Sequence, residues 1–116
     1  MMRFTPRVCF ASGVLFFLGT TLAAAELTVE NYIKLTVSRL ELIDASWRAK
    51  DQPPTEEEMQ VLYASYDTDR ESYFCFAGEN RREIESYLER HPESRDTIEA
   101  LASAIRKKVS ERSEDR

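Results

Sequence analysis

From Val29 to Trp47 the apolar residues recur at helical steps: Val29, Ile33, Val37, Leu40, Ile43 and Trp47. Intervals of three and four bring all six onto one side of an α-helix and onto no single side of a strand. Thr28 offers a hydroxyl at the N-cap position. Asp51-Gln52-Pro53-Pro54 then makes a turn that no helix crosses, because proline lacks the amide and restricts the residue before it. The spacing therefore predicts a helix over 29–50. Glu30/Lys34 and Asp44/Arg48 stand as i,i+4 acid-to-base pairs, expected on its outer face. Leu35 and Leu42 fall off the stripe and widen it. Such a helix must bury its stripe against something, and the rest of the chain has to provide it.

The residues beyond Pro54 read as more helices. Thr55-Glu56-Glu57-Glu58 has the form of a capping box, with three carboxylates where the helix dipole favours negative charge. Met59, Leu62, Tyr63 and Tyr66 form its inward stripe. Asp67-Thr68-Asp69 should break that helix, since short polar side chains compete for backbone hydrogen bonds. A third segment over about 69–77 carries Tyr73, Phe74, Phe76 and Ala77, with Gly78 as the expected C-cap. Asn80 to Glu83 starts another helix, with Ile84, Tyr87 and Leu88 inward, closed by His91-Pro92. The last begins near Pro92–Ser94 and carries Ile98, Leu101, Ala102, Ile105 and Val109. Its acids lie early and its bases late, which suits the macrodipole. No run of alternating polar and β-branched residues calls for a sheet. The expected fold is all-α, a small bundle of four to five short helices over 26–110, with a charged tail over 111–116.

The segment before the first helix has a different character. Arg3 and Arg7 precede an apolar stretch from Val8 to about Leu22, and Ala23-Ala24-Ala25 precedes Glu26. A basic start, an apolar middle and small residues before a cut are the marks of a secretory signal, here 1–25. The expected location is therefore exported, periplasmic or extracellular. The alternative is an uncleaved anchor, although the stretch is shorter than the about 20 apolar residues a spanning helix uses. Cleavage removes two of the 16 basic residues and none of the 21 acids, leaving a net charge of −7. So acidic a chain repels nucleic acid and anionic headgroups, and neither is expected as a partner. It also leaves Cys75 as the single cysteine, expected as a core thiol among Tyr73, Phe74 and Phe76.

Reactive constellations are scarce. Asp67-Thr68-Asp69 opens like a calcium loop, but the sixth and twelfth positions hold Ser72 and Gly78 instead of glycine and glutamate. His91 is the one histidine, and Leu88 stands where a helical di-iron motif needs glutamate. Its place at a helix end suits a bond to free carbonyls. No metal and no cofactor is expected, and a nucleophile with an oriented base is not evident.

The feature left over is aromatic. Tyr63, Tyr66, Tyr73, Phe74 and Phe76 crowd into one short stretch, and Tyr32, Trp47 and Tyr87 can join them on packing. Tyrosine pairs an apolar body with a polar tip and suits pocket rims and interfaces. The expectation is a non-enzymatic exported module with an aromatic groove for a protein partner, contacted through Tyr63, Tyr66, Tyr73 and Phe74. The alternatives are a carrier of a small apolar ligand and a small enzyme using Cys75 or carboxylates. The first helix also allows a homodimer. Mass spectrometry of protein recovered from its own host tests the leader. A chain beginning at Glu26 is expected, and the full-chain mass would instead indicate an anchor.

Overall fold

The computed structural model describes residues 27–114, and the signal-peptide expectation lies outside them. Those residues form five helices and no strand: α1 (Val29–Lys50), α2 (Glu56–Ala64), α3 (Arg70–Glu79), α4 (Arg81–Arg90) and α5 (Pro92–Glu114). No helix among the described residues is long and apolar enough to cross a membrane.

Local chemistry sets most of the boundaries. The Thr28 hydroxyl accepts from the Asn31 amide at 3.1 Å and starts α1. At the other end Asp51 takes a left-handed conformation (φ 60°), and its amide donates to the Trp47 carbonyl. Aspartate tolerates that region better than most side chains. The capping box forms at α2: the Glu58 amide donates to the Thr55 hydroxyl at 3.1 Å, and the Thr55 amide to the Glu58 carboxylate at 2.8 Å. That backbone bond, with Lys50 at 3.2 Å, holds the Glu58 carboxyl below the usual carboxylate range. Asp67 provides a second left-handed position (φ 58°) between α2 and α3. Asp69 then caps α3 by accepting from the Ser72 amide at 2.8 Å.

α1 is the central element. Along its about 33 Å length it packs against α5 more extensively than any other pair of helices packs, and it also touches α2 and α4. An ion pair between Arg112 and Asp51 joins the C-terminal ends of α5 and α1. Val29, at the start of α1, shares a shallow cleft with Arg82, Glu83, Ser86, Tyr87 and Arg90 of α4, which leads directly into α5. α5 therefore runs parallel to α1. α2 turns back along α1, tied by Lys50–Glu58 near the turn and by the Ser46 hydroxyl, which donates to the Gln52 carbonyl at 2.7 Å.

Two-sided packing changes which residues of α1 are inside. Leu35, expected at the margin of the stripe, is fully buried, together with Ile33. Asp44, expected on the outer face, is buried too; it still pairs with Arg48 at 2.9 Å, and Arg48 reaches water. The Glu30–Lys34 pair forms on the surface at 3.5 Å. Two further expectations are revised. α5 continues to Glu114, through the segment read as a tail, with Arg112 bound to Asp51. Gly78 lies inside α3 without a positive φ, and the helix runs on to Glu79. Asn80 ends α3 instead, its backbone and side-chain N–H groups both donating to the Phe76 carbonyl. Because α4 begins immediately afterwards, no left-handed glycine turn is needed.

A glycine inside a helix costs backbone entropy without return. A Cβ at Gly78 would meet nothing within 4 Å. Gly78→Ala is expected to raise stability by about 0.5–1 kcal/mol, read as a higher thermal midpoint. A lower midpoint would contradict this account of α3.

Candidate functional site

The aromatic residues gather where α2 and α3 meet α1. Leu35 of α1, Tyr63 of α2 and Tyr73 of α3 form the buried centre, with Tyr32, Met59, Leu62 and Tyr66 packed around it. Tyr73 is the hub. Its ring stacks on Tyr32 (centroids 4.9 Å apart), tilts against Tyr63 (5.6 Å) and meets Phe74 edge-on (5.0 Å). Tyr32 also stacks on Phe76 at 5.4 Å. Offset and edge-on pairs of this kind contribute about 0.5–1.5 kcal/mol each beyond the area they bury. α3 is thus held to α1 largely through long aromatic side chains.

The hydroxyl tips all reach α1. Thr36 donates its one hydroxyl proton to the Tyr32 carbonyl at 2.8 Å, so the Tyr73 hydroxyl, 2.7 Å from the Thr36 oxygen, must be the donor of that pair. Burial pushes the Tyr73 phenol well above the ordinary tyrosine range, and the Thr36 bond offsets this only in part. Tyr66 and Ser38 hydroxyls lie 3.1 Å apart. Arg39 donates from Nε to the Tyr63 hydroxyl at 3.2 Å.

The expected contact residues separate into two groups. Tyr63 and Tyr73 are only 2% and 3% exposed and belong to the core. Tyr66 is half-buried, and Phe74 is 44% exposed. Two arginines not singled out in the sequence join Phe74. The Arg39 guanidinium carbon lies 5.4 Å from the Phe74 ring centroid, and that of Arg70 lies 5.6 Å from it. Arg39 also lies 5.7 Å from the Tyr73 centroid. The aromatic clustering was the available signal for this place; nothing in the spacing of Arg39 and Arg70, thirty-one positions apart, marks them as neighbours.

Beside them lies a solvent-open cleft of about 350 Å³. Ile43, Pro53, Pro54 and Met59 give it apolar walls, and Arg39, Arg70, Glu56, Gln60 and the Tyr63 edge give it polar ones. The other reactive residues lie apart or are engaged. His91 caps α4, stacking on Tyr87 (centroids 3.9 Å) with Nδ1 2.9 Å from the Tyr87 carbonyl. A carbonyl only accepts, so Nδ1 carries the proton. Cys75 is half-buried and is not a free thiol. Among the described residues no group of His, Cys, Asp and Glu converges on a metal position.

The buried phenol has a consequence for pH. Below about pH 10 Tyr73 is protonated in both folded and unfolded chains. Above it the unfolded chain ionises while the folded one keeps the proton, so stability falls as pH rises. Spectrophotometric titration should find one tyrosine that resists ionisation until the chain unfolds. Tyr73→Phe should cost about 1 kcal/mol at neutral pH and flatten the alkaline loss. Ionisation of every tyrosine in the folded protein would contradict the placement.

Comparison of the chain with family models, curated proteins and solved structures finds no match to any of them. The side chains gathered around Phe74 are what remains to indicate a role.

Proposed function

We propose that the chain is an exported, non-enzymatic binding module that holds a protein partner at the open edge of its aromatic cluster. The recognition surface is Phe74 with Tyr66, flanked by Arg39 and Arg70. Exposure of Phe74 at 44%, on a ring held by Tyr73 and two guanidinium groups, is the observation that supports this most. An aromatic side chain already ordered in water loses little freedom on binding, and aromatic and arginine side chains are those on which interface energy concentrates.

Tyr63 and Tyr73 serve this surface from beneath, by fixing Arg39 and Phe74. The chain's acidity favours a protein partner over nucleic acid or an anionic membrane. A role as carrier of an apolar ligand draws less support, because the cleft opens to solvent and does not enclose its contents.

Placing a benzophenone amino acid at position 74, in the native host, tests the proposal. The same probe goes at Glu99, exposed on α5 away from the aromatic cluster. Irradiation is expected to give one discrete adduct with another protein from position 74 and none from position 99. No adduct from position 74, or the same adducts from both, would overturn the assignment.

A further inference from the structure

Arg39 and Arg70 lie in a chain with more acids than bases. Several of its bases find carboxylates, among them Lys34 on Glu30, Arg48 on Asp44, Arg81 on Glu85 and Arg112 on Asp51, while Arg90 and Arg106 bond serine hydroxyls on their own helices. Neither Arg39 nor Arg70 forms an ion pair with any described residue. What Arg39 has instead is the Tyr63 hydroxyl, at 3.2 Å, and the faces of Tyr73 and Phe74. A half-buried guanidinium has lost part of its hydration, and a neutral hydroxyl on Nε leaves the donors at its far end for another acceptor.

Both charges lie within 5.6 Å of one ring centroid and both line the same cleft. Two cations drawn to one ring repel each other, and an anion between them relieves that repulsion. Glu56 is the carboxylate in the cleft lining, and it forms no ion pair with either arginine. Gln60 and the Tyr63 edge also line it, and Ile43, Pro53, Pro54 and Met59 present apolar surface beside the two forks.

Resting on the binding role proposed above, we infer that this cleft takes a carboxylate carried on an apolar body, as at a chain end or an acidic side chain next to an apolar one. The guanidinium forks of Arg39 and Arg70 grip the carboxylate, which their planar geometry matches. The apolar body lies on Met59, Ile43 and the two prolines. A free phosphate fits less well, since Glu56 repels its second charge and it has no apolar body to lie on those walls. The acidity of the chain as a whole does not bar the anion, because at physiological salt charges beyond about 8 Å are largely screened.

The test is NMR titration of the protein recovered from its host with three probes: hydrocinnamate, its neutral amide, and inorganic phosphate. Hydrocinnamate is expected to shift the Arg39 and Arg70 Nε–H signals and the Met59 methyl along one saturable curve. The amide should bind at least about tenfold more weakly, as should hydrocinnamate to Arg70→Gln; tenfold corresponds to about 1.4 kcal/mol. Arg70 is exposed and forms no ion pair, and its contact with the Phe74 ring lies at the surface, so that variant should stay folded with a thermal midpoint close to that of the wild type. Equal binding of acid and amide, phosphate binding as tightly as hydrocinnamate, or no saturable shift would each overturn the inference. A partner adduct at position 74 without carboxylate binding overturns this inference alone. Carboxylate binding without any adduct supports it and overturns the protein-partner role.

Discussion

Every other helix takes its place from α1, which is packed on two sides at once. Toward α2 and α3 it presents Tyr32, Leu35, Thr36 and Arg39; along the rest of its buried arc it meets α4 and α5. Leu35, with no exposed surface, stands where the α1, α2 and α3 side chains converge. In a domain this small few apolar side chains are wholly covered. Among the described residues these are Ile33, Leu35, Tyr63 and Tyr73, two of them tyrosines. A core so thin has little surplus stability, and one well-filled position carries a large share of it.

Tyrosine in that core does something leucine could not. A phenol ring spans the gap between helices that do not approach closely, and its hydroxyl still reaches a polar atom on the far side. Tyr73, Tyr63 and Tyr66 each cross to α1 in this way, to Thr36, Arg39 and Ser38. Hydrogen bonds are directional, so these contacts set the rotation of α2 and α3 as well as their distance. That rotation leaves Phe74 at the surface with Arg39 and Arg70 beside it. The candidate site is therefore an outgrowth of the core, and its rigidity comes from the same tyrosines.

Much of the fold was legible from local chemistry. The limits of α1, the capping box at Thr55, the break at Asp67 to Asp69 and the ion pairs of α1 depend on residues within a few positions of one another. What was not legible depends on neighbours distant in sequence. Leu35 and Asp44 are inside because helices on both sides widen the buried arc of α1, which a single-stripe pattern does not express. Gly78 resembles a helix end, yet the start of α4 at Arg81 leaves no turn for it to make. For the candidate site, the crowding of tyrosines pointed to the right place, but residue type alone does not separate core from rim. Tyr63 and Tyr73 went to the core, while Arg39 and Arg70 came together only through the meeting of α1 and α3.

The claim on which this account rests is that α1 is buried from two sides with Leu35 at the centre. Equilibrium unfolding of Leu35→Ala beside Val37→Ala tests it most directly, since the single-stripe pattern makes Val37 the inner residue and the structure makes it Leu35. The account predicts a loss of about 2–5 kcal/mol for Leu35→Ala and a clearly smaller one for Val37→Ala, which is half-buried. A reversed order, with Leu35→Ala nearly neutral, would contradict it.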